Sequence, residues 1–137
     1  MATTEVVFPD GVRVLARGLR RDPAPDPPPT FGLYLGVPPE TRWAHDRVDW
    51  PDFRLPRDPA AAVAALADVR RRALGGERVE IACLGGRGRT GTALAVLAVM
   101  SGVAPDAAVA WVRTAYHPRA VETPWQARWV RRLPEML

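Results

Sequence analysis

Lysine is absent from the 137 residues: all 19 basic side chains are arginine. With the abundance of Ala, Gly and Pro, this fits a GC-rich coding sequence. An arginine here therefore needs a positional argument before it is read as functional. Cysteine is nearly absent too. The single Cys83 excludes an internal disulfide and hence a disulfide scaffold. The two histidines, His45 and His117, stand apart without ligand spacing, so no metal or other cofactor is expected. The opening MATTEVVFPDG has no basic or apolar leader segment, and the most apolar run, around Ala93 to Met100, is too short to span a bilayer. These absences lead to the expectation of a soluble, cytoplasmic protein without membrane insertion.

What is present suits one globular domain over residues 1–137, with 47% hydrophobic and 25% charged residues. The net charge of +4 permits an anionic partner without demanding one. The arginines are scattered, and the one triple, Arg70-Arg71-Arg72, reads as the solvated end of a helix, so nucleic acid is not expected as a partner.

Along the chain, residues 1–21 read as a hairpin, with Glu5 to Leu19 folded about Pro9-Asp10-Gly11. Asp22 to Thr30 holds five prolines and reads as an extended connection within the domain. Phe31 to Val37 and about Arg47 to Trp50 are expected strands. Asp58 caps a helix that begins at Pro59 and stops at Gly75-Gly76. Val79 to Cys83 is a short apolar run suited to a buried strand. Thr90 to Ser101 is a nearly all-apolar, hence buried, helix, and two more follow at about Pro105 to Tyr116 and Thr123 to Leu133. This order predicts an α/β fold: a central, mostly parallel twisted sheet with helices on both faces.

The segment Ala82 to Gly91, ACLGGRGRTG, joins the buried strand to the buried helix. Its glycines let backbone N–H groups converge into an anion nest, and the helix start adds the positive end of its dipole. Arg89 offers a planar fork for two phosphate oxygens. Cys83, at the strand end, faces the same point, where that field favours thiolate. A thiolate beside a bound phosphoryl group makes a nucleophilic site.

Cys83-x5-Arg89-Thr90-Gly91 resembles the signature loop of the cysteine-dependent protein-tyrosine phosphatase superfamily. Trp50-Pro51-Asp52 is similar to that family's mobile WPD loop, and Glu122-Thr123-Pro124-Trp125-Gln126 to its water-positioning loop. The chain is close in size to compact, dual-specificity-like bacterial members. The resemblance implies a phosphatase-like fold and a metal-independent phosphate monoester hydrolase. Cys83 would be the nucleophile, and Arg89 with the amides of Leu84, Gly85, Gly86, Arg87 and Gly88 would hold the phosphate. Asp52 would be the general acid and then base, Thr90 would aid departure of the thiolate, and Gln126 would orient the water. Trp50 and Pro51 would anchor the aspartate loop. The expected partner is a phosphorylated protein, phosphotyrosine first, or a small phosphate ester.

Some positions depart from that pattern. Ala82 stands where the family usually has a loop-bracing histidine, Arg54 where the aspartate loop often has glycine, and Glu122 where many members have glutamine. Arg87 is open to two readings: a reader of polyanionic substrates, as in the lipid-phosphatase branch, or an exposed arginine of no consequence. Trp125 is adjacent to the site and stands where it can border the substrate. Arg119 is read either as support for the loop after it or as surface. The rivals to a protein phosphatase are a phosphoinositide, small-molecule or RNA 5′-phosphatase of the same mechanism, and a module that binds phosphate without turnover.

Overall fold

The strand that ends on the cysteine lies in the middle of the sheet, and the rest of the architecture is placed around it. The structure is a computed structural model that describes residues 3–133. Five strands, β1 (Thr4–Val7), β2 (Arg13–Gly18), β3 (Phe31–Leu35), β4 (Ala44–Val48) and β5 (Val79–Cys83), form one sheet in the order β1-β2-β5-β3-β4. Only β1 and β2 pair antiparallel, with Thr4 opposite Ala16; the other three pairings are parallel. The four helices are α1 (Pro59–Leu74), α2 (Gly88–Met100), α3 (Ala108–Ala115) and α4 (Pro124–Arg131). None of them is long and apolar enough to cross a membrane.

Local chemistry explains most boundaries. Gly11 sits at φ +89 in the β1–β2 turn and donates to Phe8 O, as a Pro-Asp-Gly turn requires. Asp58 caps α1 by accepting from Ala61 N. Thr123 caps α4 in a full capping box with Gln126. Alternate residues of β5 (Val79, Ile81 and Cys83) join one apolar cluster with Leu33 and Leu35 of β3, Leu66 and Val69 of α1, and Leu94 and Leu97 of α2. Because α2 is buried along most of its length, the loop that opens it is anchored from below.

Four expectations need correction. The fourth strand is Ala44–Val48, not Arg47 to Trp50. It is an edge strand whose first four residues are exposed, so no apolar pattern marks it. Trp50 lies beyond it, buried, with its ring edge-on to Trp129 at 5.9 Å. The third helix starts at Ala108, after turns at 105–107, and α2 starts at Gly88, inside the glycine loop itself. The arginine triple is not merely solvated. Arg70 donates to Ser101 Oγ at 2.8 Å and pairs with Asp10, whose carboxyl that hydrogen bond holds below the usual range. Arg72 stacks over the Phe31 ring at 3.9 Å.

The opposite pleat of β5 carries a buried charge, Glu80. It accepts from Arg17 of β2 (Nη2 to Oε2, 3.2 Å) and from the Tyr34 hydroxyl of β3 (2.7 Å), and Trp43 Nε1 in turn donates to that hydroxyl at 2.7 Å. Burial, and then the Glu80 charge, push the Tyr34 phenol well above its ordinary range. The chain of bonds ties the three central strands together beneath the loop.

Candidate active site

The loop between β5 and α2 is built by close backbone approach. Gly86 takes φ +76, and a Cβ placed there would lie 2.5 Å from Gly18 N. A Cβ on Gly18 would likewise lie 2.5 Å from Gly85 O. Only glycine fits at either position. The β2–β5 ladder continues past the strand ends, with Leu19 N donating to Cys83 O (2.9 Å) and Arg20 N to Leu84 O (3.0 Å). From the other side the Tyr116 hydroxyl donates to Gly86 O, and Val121 N donates to Arg87 O at 3.3 Å.

Within this frame Cys83 is buried. Its Sγ accepts from Gly86 N at 3.1 Å and from the Thr90 hydroxyl at 2.9 Å. Both contacts aim a hydrogen-bond donor at the sulfur. No side chain caps α2, so its first N–H groups remain available for an anion. Arg89 is held from behind, its Nη1 donating to Leu35 O and Trp50 O, each at 3.1 Å. Gly36, at φ +106, leaves room for it: a Cβ there would lie 2.7 Å from Nη1. The Arg89 Nε is buried with no hydrogen-bond partner and faces Asp52 Oδ1 as an ion pair across 3.5 Å. A fixed guanidinium with one buried donor unspent suits an oxyanion.

Asp52 sits on a loop fastened at three points. The Trp50 indole N–H donates to Arg54 O at 2.7 Å, closing the loop on itself. Two neighbouring side chains from the first turn of α4 then grip it. Trp125 Nε1 donates to Phe53 O (2.7 Å) and Gln126 Nε2 to Arg54 O (3.1 Å). Between them Phe53 takes φ +59, a strained position for a bulky residue.

The expected site residues thus lie mostly together. Cys83, Asp52, Gly85, Arg87, Gly88 and Glu122 line one cleft of about 130 Å³. Thr90 and Arg89 adjoin it through their contacts with Cys83 Sγ and Asp52. Leu84 is half exposed and does not line the cleft, and its carbonyl accepts from Arg20 N. Trp50 anchors the loop, and Pro51 O accepts from Arg54 N. Gln126 is placed differently from its expected use. It is fully buried, its Oε1 accepts from the N–H groups of Glu122 and Thr123, and its Nε2 is spent on Arg54 O, so its carboxamide is engaged at both ends.

The sequence reading missed two supports. Tyr116 braces Gly86, and burial, then the neighbouring Cys83, hold its phenol above the ordinary range. Arg113 donates to Ala120 O and Val121 O, both at 2.9 Å, fixing the segment that packs against Gly91. Nothing in their sequence spacing marks either one.

With this geometry in hand, residues 52–135 match the PTP-SAK family, described as the Swiss Army Knife protein DSP-PTPase phosphatase domain. The chain belongs to that family. It is a PTP-SAK phosphatase domain of the dual-specificity and protein-tyrosine phosphatase type. Among solved structures, Tk-PTP in its active form is similar at 25% identity and a TM-score of 0.70, over 96% of this chain and 97% of that one. Human DUSP28 is 18% identical with a TM-score of 0.69, over 96% of this chain and 97% of its own. DUSP15 is 12% identical with a TM-score of 0.72, over 96% and 86%. At those identities the last two speak for the fold alone. No curated protein sequence matches the chain.

Proposed function

We propose that this PTP-SAK domain hydrolyses phosphate monoesters through a cysteinyl-phosphate. The observation that carries the reading is the pairing of a buried thiol, held by Gly86 N and the Thr90 hydroxyl, with a guanidinium whose buried Nε has no hydrogen-bond partner beside Asp52. In the first step the Cys83 thiolate attacks phosphorus. The S–P bond forms as the P–O bond to the leaving group breaks, and Asp52 gives its proton to the departing oxygen. Arg89 and the loop amides hold the equatorial oxygens. In the second step water attacks phosphorus, the Asp52 carboxylate takes its proton, and the S–P bond breaks to return a thiolate that the Thr90 hydroxyl stabilises. Gln126 serves by holding the Asp52 loop, since it is fully buried with its Oε1 bonded to Glu122 N and Thr123 N and its Nε2 to Arg54 O.

The family type makes a phosphorylated tyrosine, serine or threonine side chain the first candidate substrate. A small phosphate ester is the second, and a specific observation favours it: Arg20, Arg21 and Arg87 line the cleft and make no ion pair with any described residue. Hydrolysis of p-nitrophenyl phosphate between pH 5 and 8 with EDTA present tests the mechanism. Turnover should vanish in Cys83→Ser, and the limb of the pH profile that reports the acid should vanish in Asp52→Asn. Turnover that survives in Cys83→Ser would sink the cysteinyl-phosphate reading.

A further inference from the structure

Beside the Cys83 cleft lies a second and larger cavity, about 300 Å³. The two share the wall made by Arg21, Gly85 and Arg87. Tyr116 and His117, from the end of α3, close the far side. The cavity's charge is not spent internally. Neither Arg21 nor Arg87 forms an ion pair with a described residue. The one carboxylate in the lining, Asp22, already accepts from Gly18 N at 2.9 Å. The Tyr116 hydroxyl is committed to Gly86 O. His117 titrates below its ordinary value, through burial first and then the charges of Arg87, Arg119 and Arg21, as a positive surrounding dictates. Two guanidinium forks on one small cavity match the oxygens of a phosphoryl group, which can accept from both, better than those of a carboxylate, which one fork satisfies. Ligand pockets for small molecules begin at about 300 Å³, so the volume suits one phosphoryl group and the few carbons that lead to it.

We infer that this cavity is a second phosphoryl subsite and that the substrate is a small bisphosphorylated molecule, one phosphoryl group on the 84–89 loop and the other between Arg21 and Arg87. The inference rests on the phosphatase reading only in taking that loop as the first phosphate site. Arg87 serves both groups, so hydrolysis of the first is coupled to recognition of the second.

The test uses calorimetric titration of the Cys83→Ser full-length protein, which binds without turnover, alongside kcat/KM of the wild type. The probes are inositol 1-phosphate and inositol 1,4-bisphosphate. Hydrogen bonds between charged groups of this kind give about tenfold or more in affinity, so the bisphosphate should bind at least about tenfold more tightly. Arg21→Ala, an exposed position whose loss leaves the core intact, should cut that preference to threefold or less. Affinities within twofold of each other, or a preference that Arg21→Ala leaves untouched, overturn the subsite. Tighter binding to a peptide phosphorylated at two adjacent residues than to the bisphosphate overturns the small-molecule assignment. So does capture by vesicles containing phosphatidylinositol 4,5-bisphosphate without binding of the free probe. If wild type hydrolyses neither probe nor p-nitrophenyl phosphate while the Cys83→Ser preference holds, the subsite stands and the hydrolase reading fails. The reverse pattern sinks the subsite alone.

Discussion

Trp125→Phe isolates one hydrogen bond of the grip on Asp52. Trp125 Nε1 donates to Phe53 O at 2.7 Å from the first turn of α4, and Phe53 pays backbone strain at φ +59. Such strain costs roughly 1–3 kcal/mol. A single neutral hydrogen bond returns about 1 kcal/mol net, and Trp125 is half exposed, 48%, so water replaces part of it. Loss of the indole N–H should therefore weaken the gripped loop by about 1 kcal/mol, a factor of about five. That factor is a ceiling on the rate effect, because the Gln126 and Trp50 bonds to Arg54 O remain. The assay is kcat/KM on two substrates that differ in need for an acid. Phenyl phosphate, whose leaving oxygen requires a proton, should lose up to about fivefold. p-Nitrophenyl phosphate, whose phenolate is the better leaving group and needs the proton less, should lose less. In Asp52→Asn, Trp125→Phe should add nothing, since both act through one group. Equal losses on the two substrates, or additive losses in the double variant, would refute the claim that Trp125 acts through Asp52.

Two further substitutions test the frame. Gly18→Ala puts a methyl 2.5 Å from Gly85 O. Overpacking of this kind costs roughly 1–3 kcal/mol, and displacement of the loop should abolish vanadate binding while far-UV circular dichroism stays native. Retained vanadate affinity would show that the approach of β2 to the loop is not what shapes it. Glu80→Gln leaves the buried Arg17 guanidinium without its counter-charge. Breaking a buried pair costs about 3 kcal/mol or more, which should appear as a fall of about 10 °C in Tm for a domain of this size. A fall of only a degree or two would mean that Tyr34 and Trp43, not the charge, hold that face.

The parts of the site that local chemistry dictates were readable from the residues alone. A buried strand running into glycines and then an apolar helix builds an anion site at the helix start, and Cys83 ends β5 while Arg89 and Thr90 open α2. The Asp58 cap was equally legible, because a cap is a short-range contract between neighbours. Long-range partnerships were not. Glu80 hides in an apolar run because its partners, Arg17 and Tyr34, come from other strands. Strand β4 hides because an edge strand carries no alternation. Gln126 was visible as a site residue, but its task depends on Arg54 O, 72 positions away.

The Ala82 substitution shows how the missing brace is compensated. A side chain at 82 lies on the pleat opposite Cys83, and alanine there is fully buried and supplies no polar group. A loop of glycines without a brace would splay, because each glycine adds backbone entropy that folding must overcome. Here the constraint comes instead from both flanks. Leu19 and Arg20 extend the sheet ladder onto Cys83 O and Leu84 O, Tyr116 holds Gly86 O, and Val121 holds Arg87 O. Four carbonyls of the loop are thereby turned outward and tied. In a trans peptide the N–H points away from its carbonyl, so the N–H groups of Leu84, Gly85, Arg87 and Gly88 are turned from the tied side, and Gly86 N, between them in the chain, donates to the sulfur at 3.1 Å. Tying the carbonyls outside is what makes the inner face a surface of donors, and a surface of donors beside a thiol is what an oxyanion on phosphorus requires.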